Sequence, residues 1–125
     1  MRLRNAVRAA RTALRGQKTA GGAFRVGRRG LDVDLPDGPR AHVELVYPAP
    51  ADARGEPALL FSEPLRQAMH THMRVPLAAL PARATTDGLR GAPVADGRFP
   101  VLLFMHGFGS FALQNRRQLE DLARH

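Results

Sequence analysis

The stretch that most constrains this chain is residues 99–110, Phe-Pro-Val-Leu-Leu-Phe-Met-His-Gly-Phe-Gly-Ser. Residues 101–105 are apolar without a break, too few for an ordinary helix, and lie between Pro100 and a glycine loop, which predicts a buried strand. A strand apolar at every position has both faces covered, as in the centre of a parallel α/β sheet. Ligands of such sheets bind beyond the carboxyl ends of the strands. His106, Gly107, Phe108 and Gly109 fall there, and the two glycines let the backbone turn sharply with its N–H groups open to an oxyanion.

The chain has 125 residues, one domain's worth, and its 44% hydrophobic content suffices for a core. It contains no cysteine, which excludes disulfides and thiolate metal sites. No run of 18 apolar residues occurs, and no secretory-type apolar core follows the basic N-terminus, so the expected compartment is the cytoplasm. The net charge of +8 is unevenly placed. Residues 1–30 hold nine of the 19 Arg and Lys and no acid, leaving ten basic residues against eleven acids in 31–125. Because the basic residues are nearly all Arg, and Ala, Gly and Pro abound, a GC-rich coding bias accounts for the basicity without a demand for nucleic acid.

Residues 1–23 read as a basic extension and residues 24–125 as the folded part. Within the extension Leu3, Val7, Ala10 and Leu14 form an apolar stripe at helical spacing beside Arg4, Arg8, Arg11 and Arg15. Like charges at i and i+4 repel, so such a helix gains from an anionic surface. Binding of anionic lipid or nucleic acid through residues 2–15 is the alternative to an enzymatic reading; a solvated extension is the plainer one.

From Phe24 a period of two takes over. Leu31, Val33 and Leu35, then Ala41, Val43, Leu45 and Tyr47, alternate with polar residues around Pro36, Asp37, Gly38 and Pro39, which predicts a hairpin with His42 on its polar face. Residues 48–57 read as a loop. Ser62 is placed to cap a helix that has Pro64 in its first turn, Leu65, Met69 and Met73 on one face, and its end near Arg74. His70 and His72 lie two apart, on nearly opposite sides of that helix, so no metal site is expected there. One further helical turn is expected over residues 76–81 and an irregular connection over 82–97. A last helix follows, with Asn115 and Gln118 as a capping box and Leu119, Leu122 and Ala123 on its buried face.

Tyr47-Pro48-Ala49, Ala92-Pro93-Val94, the run from Gly97 to Gly109, Gln114-Asn115 and residues 119–125 together resemble the N-terminal part of bacterial platelet-activating-factor acetylhydrolases and dienelactone hydrolases. The resemblance covers residues 25–125 and implies an α/β-hydrolase fold seen in its opening part: hairpin, helical insertion, central strand and following helix, with an incomplete sheet. It implies hydrolysis of carboxylic esters, lipid-like esters among them, without a cofactor. It also implies that the Phe108 N–H is one oxyanion-hole donor, and that His106, with Gly107 and Gly109, shapes the loop without serving as the triad base.

The nucleophile of that fold sits in a Gly-x-Ser-x-Gly elbow. The two serines present are Ser62 and Ser110; Ser110 has Phe108 and Ala112 at the elbow's small positions, so it is not expected to attack. Acid and base follow the serine in chain order, which places them beyond His125. The expectation is a hydrolase fragment that lacks its triad, is inactive alone and tends to self-associate through the bare edge of its central strand.

Overall fold

The computed structural model describes residues 24–125. A four-stranded mixed sheet and two helices make it an α/β structure. Strands β1 (Arg25–Val33) and β2 (Ala41–Ala49) form the expected antiparallel hairpin, in a register that pairs Arg25 with Ala49 and Val33 with Ala41. Its ladder runs through Pro48, which the sequence marked as the end of the strand; β2 is an edge strand, where a missing N–H is tolerated.

Strands β3 (Pro57–Leu59) and β4 (Thr85–Arg90) complete the order β2-β1-β4-β3. β4 falls within the irregular connection expected over residues 82–97, and β3 starts at the last residue of the loop expected over 48–57 and runs on into residues for which no element was expected. β4 pairs parallel with β1 and antiparallel with β3, and a register shift lies between Pro57 and Leu59. Thr85, Thr86 and Leu89 suit a strand; the Thr-Thr-Asp-Gly order conceals it, because Asp-Gly ordinarily marks a turn. Gly88 is present for another reason: a Cβ there would stand 2.6 Å from Cγ of Arg28 on β1.

Helix α1 (Glu63–Met73) forms as expected. Ser62 Oγ accepts the Leu65 N–H at 3.3 Å, Pro64 lies in the first turn, and Arg74 ends the helix in the left-handed region at φ 56°. Met69 is buried with Phe61 and Leu80, while Met73, assigned to the same face by its spacing, is exposed. A 3-10 turn, Leu77–Ala79, supplies the expected extra helical turn. A second cluster, Ala49, Ala53, Leu89 and Ala92, packs beside the sheet, and Tyr47 Oη donates to the Ala92 carbonyl at 2.6 Å.

Helix α2 (Arg116–Arg124) starts at Asn115, but no side-chain cap bond forms, so the capping box is not built. Its most buried side chain is Glu120, not the leucines, and Leu119 and Leu122 are half-buried. Glu120 Oε1 accepts the N–H groups of Asp87 and Gly88, at 3.1 and 3.2 Å. The helix is thus fixed to β4 by a carboxylate on the strand's backbone, with Arg116 at 3.4 Å from the other oxygen. Arg116 is therefore half-buried.

The central strand expected over residues 101–105 is not formed. Val101, Leu103 and Met105 are 94%, 86% and 82% exposed, with Leu102 and Phe104 at 49% and 38%. A strand needs a neighbour to take its backbone groups, and both edges of the sheet, β2 and β3, run elsewhere. No helix among the described residues is long and apolar enough to cross a membrane.

Candidate oxyanion loop

The glycine loop expected to receive an oxyanion lies on the surface, at the end of the exposed apolar run. Two aromatic contacts hold the bases of the span that carries it. The Phe99 ring meets Phe24 edge-on, centroids 5.4 Å apart, and Phe111 packs against Phe61 at 5.5 Å. Between these anchors the Phe108 side chain stands fully in solvent.

Gly109 adopts φ 73°, a left-handed conformation that favours glycine, and the Ser110 N–H closes a turn onto the Gly107 carbonyl at 3.3 Å. Among the described residues no backbone acceptor takes the Phe108 N–H, and nothing approaches within 4 Å of the positions where Gly107 and Gly109 would carry a Cβ. His106 Nδ1 lies 3.0 Å from the Gly107 carbonyl and, as its donor, ties the ring to the loop. His106, Gly107, Phe108 and Gly109 thus share one open turn. The Ser110 hydroxyl is turned to the Gln114 side-chain oxygen, its donor engaged within the same segment. Ser62 is consumed as the cap of α1.

A second set of polar groups, on the polar face of the hairpin, escaped the sequence reading. Arg28 is buried; it donates to the Leu59 carbonyl at 2.9 Å, to Thr86 Oγ1 at 3.0 Å and to Glu44 Oε2 at 3.1 Å, while its Nε has no protein partner. Glu44 Oε1 lies 3.2 Å from His42 Nε2, and Asp32 Oδ1 lies 2.8 Å from His42 Nδ1. The chain Asp32, His42, Glu44, Arg28, Thr86 crosses three strands from solvent to interior. Hydrogen bonds that His42 donates to Asp32 first, then to Glu44, raise its pKa above the ordinary value. The two carboxylates face opposite ring nitrogens, an arrangement that orients an imidazole and does not converge on an ion. Among the described residues no group of three His, Cys, Asp or Glu is placed to hold a metal, and His70 is turned to the Val75 carbonyl at 3.0 Å.

A shallow groove beside α2 collects charge without leaving much unpaired. Arg124 is 2.9 Å from Asp87 and Arg116 bonds Glu120; Arg117 and Asp121 face the same groove. The stripe of Arg4, Arg8, Arg11 and Arg15 lies outside the described residues. No family model, curated protein or solved structure matches the chain.

Proposed function

We propose that residues 24–125 are the part of a serine hydrolase of α/β-hydrolase type that carries one half of the oxyanion hole, and that the parent reaction is hydrolysis of carboxylic esters, lipid-like esters included. The open turn of residues 106–109 carries this reading. Its exposed Phe108 has a backbone N–H that no backbone acceptor takes among the described residues, at the end of an apolar run, a donor of the kind that binds the oxyanion of a tetrahedral intermediate. The roles are limited: Phe108 donates from its backbone, His106 and Gly107 with Gly109 set the turn, and no cofactor or metal enters. Nucleophile, acid and base come from elsewhere than these 125 residues.

Two measurements test the reading. With p-nitrophenyl acetate the 125-residue chain gives no turnover above buffer, and a fluorophosphonate leaves it unlabelled, because Ser110 has no base and its hydroxyl is bonded to Gln114. Stoichiometric labelling of Ser110 overturns the assignment. The codons after residue 125 are the second measurement: a Gly-x-Ser-x-Gly segment downstream in frame supports the reading, and a frame without one removes it.

The charge segregation of the sequence favours one alternative, binding of anionic lipid or nucleic acid by residues 2–15. Deleting residues 1–22 abolishes binding to anionic vesicles or to DNA under that alternative. Under the hydrolase reading it leaves the body's properties unchanged.

A further inference from the structure

We propose that residues 101–105 are a self-pairing strand, which joins two copies of this chain antiparallel about a two-fold axis through Leu103. The inference stands on exposure and hydrogen bonding within residues 24–125.

The segment is held at both ends by the Phe24–Phe99 and Phe61–Phe111 contacts and stands free between them. Its exposure alternates along the chain, 94, 49, 86, 38 and 82%, the periodicity of an extended strand with Val101, Leu103 and Met105 on one face. Among the described residues none of its backbone N–H or C=O groups is hydrogen-bonded to another backbone group. Covering these side chains also removes the backbone from water, so whatever covers them must supply backbone donors and acceptors. A lipid surface supplies neither, and a helix has already spent its own. A strand remains.

Charge selects a second copy and the antiparallel sense. Between residues 98 and 109 the only side chain charged at all pH values of interest is Arg98, and His106 is the only other titratable one. Antiparallel pairing centred on Leu103 sets Val101 opposite Met105 and carries Arg98 toward Phe108 of the second copy, a cation beside an aromatic ring. Parallel pairing in register would set Arg98 against Arg98, a repulsive pair. Pro100, which has no N–H, and Gly107 bound the paired run on either side. Val101, Leu103 and Met105 from each copy, the exposed face of the run, bury roughly 100 Å² apiece and about 600 Å² in total, the size of a weak, concentration-dependent contact.

Light scattering after size exclusion reads the prediction: the mass moves from 13.6 kDa toward twice that value with rising concentration. Leu103→Lys places two ammonium groups face to face on the axis and holds the chain monomeric, with an unchanged far-ultraviolet spectrum because the side chain stands in solvent. Cysteine pairs then read the register in a chain that has no cysteine of its own. Under mild oxidation Leu103→Cys forms a dimer at least tenfold faster than Val94→Cys, another exposed position. A mixture of Val101→Cys and Met105→Cys cross-links faster than either variant alone. A monomer at every concentration overturns the proposal, as does equal cross-linking at 94 and 103. So does Val101→Cys that joins itself as fast as it joins Met105→Cys, or association that survives Leu103→Lys and is lost on deleting residues 1–22.

Discussion

His42 shows how one side chain couples the hairpin to pH. Its pKa is raised, chiefly by the hydrogen bond to Asp32 and then by Glu44. The folded state therefore binds the proton more tightly than the unfolded chain, whose histidine titrates at about 6.5. The stabilisation is complete below that value and is lost as pH rises through the folded-state pKa. Urea midpoints of the protein fall across that window, whereas His42→Gln flattens the profile there; a variant with the same slope as the parent refutes the role. Asp87 works in the opposite sense, its pKa lowered by Arg124, so its contribution holds above the ordinary carboxylate range and fades as pH falls below it. Glu120 matters through geometry: Glu120→Ala leaves the N–H groups of Asp87 and Gly88 without their acceptor and costs about 1–3 kcal/mol by denaturant titration. Neither Arg28 nor Glu120 was legible in the sequence. A buried charge is recognised by the partners that surround it, and those partners lie 16 and 58 residues from Arg28, and 32 and 33 from Glu120.

The elements divide by whether their cause is local. The hairpin and α1 were legible because alternation, turn residues and a serine cap act within a few residues. Ser62→Ala accordingly removes one bond at the head of α1 and lowers stability by about 1 kcal/mol, read as a shift of the thermal midpoint, and Ser62→Asp restores it. β3 and β4 were missed because their cause is remote. Three residues of β3 become a strand only beside β4, and Gly88 in β4 looks like a turn until Arg28 occupies the space above it. Residues 101–105 fail in the opposite way. Their sequence is that of a core strand, but strand formation is a property of pairs, and among the described residues no partner is provided. The turn at residues 106–109 needs no partner, and Gly109 bends it by adopting a left-handed conformation. What the sequence could not supply is the apolar cover that would make the turn a site.

At the scale of the whole molecule the core is thin. Its buried clusters rest on Ala49, Ala53, Leu89 and Ala92, and on Phe61, Met69 and Leu80, while the longest apolar run in the chain lies outside them. Alanine buries little area, and at about 25 cal/mol per Å² the difference between five covered and five solvated large side chains is several kcal/mol, the order of a small domain's entire stability. A chain of this kind gains stability from whatever covers residues 101–105. If that is a second copy, folding and association are linked, and the midpoint of unfolding depends on protein concentration. Thermal melts at rising concentration therefore give rising midpoints for the parent chain. Leu103→Lys gives one midpoint at all concentrations, equal to the parent's at the lowest. A sharp, concentration-independent transition in the parent would mean that the two thin clusters suffice, and that the exposed run contributes nothing to the stability of this chain.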